Sequence, residues 1–147
     1  MAKHCAEFAK TLGYEVLLCE PRTEVIGDLA RPAYAVRNEH PAAYIASGNC
    51  HAHTAVVALT HDPRLDDLTL MEAVRSKAFY IGAMGSARTS EKRLERLKRI
   101  GGLTDQELAR IHAPIGLRLG SKTPAEIALA VMADIVRVAS GIARSDL

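Results

Sequence analysis

THDPRLDDLTLMEAVRSKAFYIGAMGSART, residues 60–89, is the stretch on which the fold turns. It begins where an apolar run, residues 54–59, gives out, and it contains a second apolar run, residues 78–81, that ends at a glycine. Runs of this length without polar interruption read as strands buried on both faces. Between them, residues 67–76 read as a helix. Leu70, Ala73 and Val74 form its apolar face, and Thr69 and Glu72 stand at capping-box spacing. In an open parallel sheet, ligands bind outside the carboxyl ends of the strands. Thr60, His61 and Asp62 are therefore expected to face the same crevice as Gly82, Gly85, Ser86, Arg88 and Thr89.

Toward the amino end, residues 1–12 place Cys5, Phe8, Ala9 and Leu12 at helical spacing, with Gly13 as a stop. Residues 15–19 carry Val16, Leu17 and Leu18 in a row, a buried strand that ends at Glu20. Helix, strand and acid form the second half of a mononucleotide-binding unit, in which the acid hydrogen-bonds a ribose hydroxyl. The strand and glycine turn that open such a unit are not seen before residue 1. Further on, residues 34–36 read as a short strand and 41–46 as a short helix.

Toward the carboxyl end, Gly82 and Gly85 lead into a basic helix that stops near Gly101, with Leu94, Leu97 and Ile100 as its core face. Its charges past Lys92, among them Arg93, Arg96, Lys98 and Arg99, read as a solvated face. Thr104 and Glu107 predict a capping box that opens a short helix to about residue 111, and residues 112–120 allow a short edge strand. Thr123, Pro124 and Glu126 cap a last helix whose stripe is Ile127, Ala128, Val131, Met132, Ile135 and Val136. Strands that alternate with helices predict an α/β domain over 1–147, a parallel sheet with helices on both faces.

With 147 residues, 48% of them hydrophobic, the chain can bury a core without staples. A net charge of +2 demands neither nucleic acid nor an anionic membrane as partner. Cys5, Cys19 and Cys50 lack C-x-x-C spacing and point to a reducing, cytoplasmic setting; no run approaches a membrane span. The segment from Gly82 to Ser86 joins a strand to a helix, so its N–H groups can meet an anion, with Ser86, Arg88 and Thr89 as further donors. The alternative is a tight connection that uses glycine for its backbone freedom. It is not a P-loop, since no lysine stands at the required place. His61 beside Asp62 can contact a ligand, shuttle a proton or bind metal; the alternative is an Asp-Pro turn. Cys50, His51 and His53 precede the strand that His61 follows, about 20 Å of chain away, so no single metal site uses both and no metal ligand is assigned. Glu20 is either the ribose acid or a solvated residue opening a turn. Neither a nucleophile elbow nor triad spacing is present, and no catalytic residue is assigned.

At THDPRLDD, FYIGAMGSARTSEKRLERL, LARIHAPIGL and TPAEIALAVMADIV the sequence resembles the C-terminal Rossmann-like domain of the XdhC/CoxI family, accessory proteins of xanthine dehydrogenase and carbon monoxide dehydrogenase type molybdoenzymes. The resemblance implies a cytoplasmic chaperone rather than an enzyme. Such a chaperone binds the molybdenum cofactor, as molybdopterin or its cytosine dinucleotide form, helps its sulfuration by a cysteine desulfurase, and delivers it to the apo-molybdoenzyme. The matching positions are Thr60, His61, Asp62 and Arg64, then Gly82, Gly85, Ser86, Arg88 and Thr89, then His112, Pro114, Ile115 and Gly116. Where relatives carry a strand and Gly-Ala-Gly turn before the first helix this sequence shows none, and Arg118 replaces an acid. Two other functions compete: an NAD(P)-dependent oxidoreductase, suggested by Glu20, and an interaction module with a vestigial site. Self-association is left open.

The unseen strand carries its own expectation. In a doubly wound sheet the first strand lies between 15–19 and 54–59. Buried donors and acceptors without partners cost about 1–3 kcal/mol each, so the slot is expected not to stay open. Three outcomes are foreseen: a segment inserted from elsewhere, collapse of the flanking strands into direct pairing, or a start at Met1 that lies too late.

Overall fold

The computed structural model describes residues 2–27, 34–60 and 62–147. In chain order the elements are α1 (Ala2–Thr11), β1 (Leu17–Cys19), α2 (Thr23–Gly27), β2 (Ala35–Arg37), α3 (Pro41–Tyr44), β3 (Ala55–Ala58) and α4 (Pro63–Ala73). They continue with β4 (Tyr80–Ala83), α5 (Ala87–Arg99), α6 (Asp105–Ala109), β5 (Ile111–His112) and α7 (Pro124–Ala139). α3 runs on to Asn49 through a wider turn, and a short 3-10 turn, Arg144–Asp146, follows α7. Every pairing is parallel: β1 with β2, and β3 with β4 and β4 with β5. The expected Rossmann-like α/β architecture is the one observed.

β4 is the centre, and all four of its residues are buried. Its side chains alternate between two cores, as the pleat requires. Tyr80 joins Cys5, Ala128, Val131, Met132 and Ile135, the cluster of α1 and α7. Ile81 and Ala83 join Leu70, Ala73, Leu97 and Ile111 on the opposite face. Helices thus cover both faces. The capping boxes at Thr104 with Glu107 and Thr123 with Glu126 form as the sequence predicts.

Three expectations shift, each for a physical reason. The helix expected from residue 67 starts at Pro63, because Asp62 caps it, its carboxylate accepting from the Arg64 N–H at 3.0 Å, with proline in the first turn. Thr69 is therefore no cap; its buried hydroxyl donates to the Leu65 carbonyl at 2.8 Å. The strand expected at 78–81 lies two residues later, which puts Gly82 inside β4 rather than in the turn. In α5, Ile100 is 72% exposed, and the buried position is taken by Arg93 at 4%. That overturns the solvated-face reading at Arg93.

Among the described residues the sheet is in two parts: β1 and β3 neither pair with each other nor share a strand between them. Collapse into direct pairing is not seen, and no described segment fills the slot. The expected penalty assumed buried edges. All three residues of β1 and the first three of β3 are only half-buried, so these edges are not sealed in the core as that expectation assumed.

Candidate functional site

The carboxyl ends of β3 and β4 are in register, Ala58 opposite Ala83, and the Met84 N–H donates to the Ala58 carbonyl at 3.0 Å. The loops that follow leave the sheet at the same edge, so Thr60 and Asp62 share it with Gly85 and Ser86. His61 lies outside the described residues. At the carboxyl end of β1 the Arg22 guanidinium is held against the Glu20 carboxylate, which, with a smaller contribution from the charge of Asp62, raises its pKa.

Within this crevice the residues divide by what already occupies them. The Thr60 hydroxyl donates to Asp66 Oδ1 at 2.8 Å and accepts from the Asp62 N–H at 3.1 Å. Asp62 spends a carboxylate oxygen on the cap of α4. Ser86 caps α5, accepting from the Thr89 N–H at 3.1 Å and donating to Thr89 Oγ1 at 2.9 Å. Gly82 is a packing glycine, because a Cβ there would stand 2.4 Å from Ile115 Cδ1. Gly85 has φ +155, a conformation that side-chain-bearing residues rarely adopt. Glu20 is 4% exposed, which rules out the solvated-turn reading, and its N–H donates to the Arg37 carbonyl at 2.9 Å. Arg88 is exposed and, among the described residues, has no hydrogen bond or ion pair.

Besides the Arg88 side chain, backbone groups remain free. The N–H groups of Gly85, Ser86, Ala87 and Arg88 enter no hydrogen bond with described residues. They stand at the amino end of a helix of 13 residues, where the helix dipole favours negative charge.

Two polar clusters escaped the sequence reading. Beneath the loops, Arg93 Nη1 donates to the Met84 carbonyl at 3.0 Å, and Arg93 Nη2 lies 3.9 Å from Asp66 Oδ2. Arg96 grips Asp67 with two hydrogen bonds of 2.6 and 3.0 Å. Burial raises the Asp66 pKa, against the lowering influence of Thr60 and Arg93. The usable signal was the i,i+3 spacing of Arg93 and Arg96 opposite the adjacent acids Asp66 and Asp67.

On the α7 face, Asp134 is fully buried; it accepts from Tyr80 Oη at 2.7 Å, Arg137 Nε at 2.8 Å and Arg144 at 3.2 Å. His112 stacks on the Tyr80 ring at 4.4 Å with Nδ1 3.6 Å from Asp134, and burial lowers its pKa. An aspartate inside the apolar stripe between Val131 and Ile135 was the visible signal. Among the described residues no group of three or more His, Cys, Asp or Glu is placed to hold a metal ion. No helix among them is long and apolar enough to cross a membrane.

The whole of the Rossmann-like order just described is found in known proteins. A crystal structure of a xanthine dehydrogenase from Bacillus halodurans superposes with a TM-score of 0.77 over 99% of this chain and 41% of that one, at 19% identity, a likeness of fold. The molybdenum cofactor insertion chaperone PaoD of Escherichia coli is 36% identical over 93 residues, 63% of this chain and 29% of PaoD. A probable xanthine dehydrogenase subunit of Bacillus subtilis is 25% identical over 123 residues, 77% of this chain and 35% of its own length. This chain thus spans about a third of each of these two relatives. The family model for the XdhC Rossmann domain matches residues 1–135, nearly the full length, and the chain belongs to that family.

Proposed function

We propose that this chain is a maturation factor for a molybdoenzyme of the xanthine dehydrogenase or carbon monoxide dehydrogenase type, and that its crevice binds the molybdenum cofactor as molybdopterin or the cytosine dinucleotide form. The observation that carries the reading is the set of open N–H groups from Gly85 to Arg88 with the unpaired Arg88 beside them, in a family whose relatives include a named cofactor insertion chaperone. Both cofactor forms bear phosphate. Free N–H groups at a helix amino end and an unpaired guanidinium fit a phosphate group. Thr60, Asp62 and Glu20, each already engaged within the fold, would serve the rest of the molecule by shaping the crevice, with His61 between Thr60 and Asp62 in sequence. The bound cofactor would supply the molybdenum chemistry to the recipient enzyme; the residues of this chain hold and orient it. A cysteine desulfurase and the apo-molybdoenzyme are the partners, and the cytoplasm is the compartment, in this reading.

The test is an anaerobic titration of the purified chain with molybdenum cofactor freshly released from a molybdoenzyme, followed by transfer to an apo-enzyme. Saturable binding and faster reconstitution are expected. NAD(P)H is the comparison ligand: tight binding of it with turnover, and none of the cofactor, would overturn the proposal in favour of an oxidoreductase. No binding of either would leave the interaction-module reading standing instead.

A further inference from the structure

We infer that the buried Asp66–Arg93 pair is the positioning device of the crevice, coupling the loop after β3 to the loop after β4 without touching the ligand. The inference rests on the proposed binding site for its ligand, but not for its geometry. Asp66 is 1% exposed and holds the first loop through the Thr60 hydroxyl at 2.8 Å; that hydroxyl in turn receives the Asp62 N–H. Arg93 is 4% exposed and holds the second loop through the Met84 carbonyl at 3.0 Å. The two meet at 3.9 Å, so one ion pair stands between the two segments that a ligand would bridge.

Stability is a poor explanation for this pair. Asp66 Oδ2, Arg93 Nε and the neighbouring Ser90 Oγ are buried without a hydrogen bond, and Arg93 Nε lies 3.3 Å from Asp67 Oδ1 but out of line. A buried ion pair with unsatisfied atoms gives back less than its desolvation costs. A nonpolar pair of similar volume would hold α4 against α5 at least as well. What it would not do is fix the Thr60 hydroxyl and the Met84 carbonyl, and with them the distance between the loops. Displacement of a contact by about 1 Å can cost up to about a hundredfold in function, so a fixed loop spacing has value for a ligand that contacts both.

The experiment uses Asp66→Leu/Arg93→Met, which removes both charges together, because loss of Arg93 alone would strand the Asp66 carboxylate in the core, whereas Arg93 keeps Asp67 as a second partner at 3.3 Å. The double variant is expected to fold, with the wild-type far-UV spectrum and unfolding midpoint, and to bind the cofactor about tenfold more weakly. Folding with unchanged affinity would overturn the inference. Arg93→Lys keeps the charge while shortening the reach to Met84, and is expected to fold and fall between the two in affinity; wild-type affinity for it would count against the inference. A second readout needs no ligand. Asp66→Asn contacts the first loop only, yet it should shift the amide resonances of Met84 and Gly85; shifts confined to Thr60 and its neighbours would refute the coupling even if the wild-type chain bound no cofactor.

Discussion

Gly116 offers the sharpest quantitative test of the fold around the site. Its φ is +93, and a Cβ added there would lie 3.0 Å from the Ala130 carbonyl carbon and from the Val131 nitrogen, in the backbone of α7. A helix backbone cannot swing aside as a side-chain tip can. The loop is also tied at this point, with the Leu117 N–H on the Ala130 carbonyl at 3.0 Å and Arg144 on the Gly116 carbonyl at 3.1 Å. Gly116→Ala therefore carries two costs: about 1–2 kcal/mol for the left-handed conformation, and about 1–3 kcal/mol for crowding. The sum, about 2–5 kcal/mol, is a large part of the roughly 5–15 kcal/mol that holds a domain together. Gly120→Ala separates the terms. Gly120 has φ +71 and nothing within 4 Å of an added Cβ, so only the conformational cost of about 1–2 kcal/mol applies. Urea unfolding of both variants, with the slopes checked for equality, gives the difference directly. If Gly116→Ala were no less stable than Gly120→Ala, the close approach of this loop to α7 would be wrong.

Acid should destabilise the protein in two steps. Burial lowers the His112 pKa, so the unfolded chain takes up that proton first and stability falls as pH drops below about 6.5. For Asp134, burial alone would raise the pKa, but the hydrogen bonds from Tyr80 and Arg137 and the charge of Arg144 bring it below the ordinary value; its contribution is present above about pH 3.9 and is lost as pH falls through the lowered folded value. Denaturation midpoints measured from pH 8 to 4 should show the first step in the wild type and not in His112→Gln. Asp66, with its raised pKa, acts in the opposite sense, losing stability as pH rises through the ordinary carboxylate range to the folded value. Ser86→Ala removes the cap of α5 and should cost about 1 kcal/mol in a thermal or urea melt; an unchanged midpoint would contradict the cap geometry. Arg88→Ala removes no hydrogen bond or ion pair to another described residue and should leave that midpoint alone while weakening cofactor binding, and retained affinity would move the phosphate elsewhere.

Why some of this was readable and some not follows from where the information lies. The caps at Thr104 and Thr123 are local, each written within four residues, and both formed as read. The shared edge of the two crevice loops followed from parallel connectivity, which the run from Thr60 to Thr89 displays. The start of α4 was misplaced although its signal was equally local: Asp62-Pro63 is an N-cap followed by a first-turn proline, and weighing the pair only as ligand contact or turn hid the cap. Gly82 was misassigned for a different reason. Whether a glycine bends the chain or makes room depends on Ile115, 33 positions away in sequence, and no window around residue 82 contains it. Arg93 failed in the same way, because its burial is decided by Asp66 and Met84 rather than by the charges around it in α5.

The divided sheet has a consequence for how the molecule opens. No ladder of main-chain hydrogen bonds links β1–β2 to β3–β5 among the described residues, while the helices that flank these strands in sequence make the joints, α1 resting on α7 and α3 on α4. Such joints loosen one at a time, whereas a continuous ladder breaks as a whole. The amides of Leu17–Cys19 and Ala35–Arg37 should therefore exchange with deuterium through a partial opening that leaves Tyr80–Ala83 protected. Glu20 ends the looser part, while Thr60 and the amino end of α5 stand on the firmer one. A ligand that spanned both would draw two separately breathing units into one, and its binding would be recorded as slowed exchange far from any atom it touches.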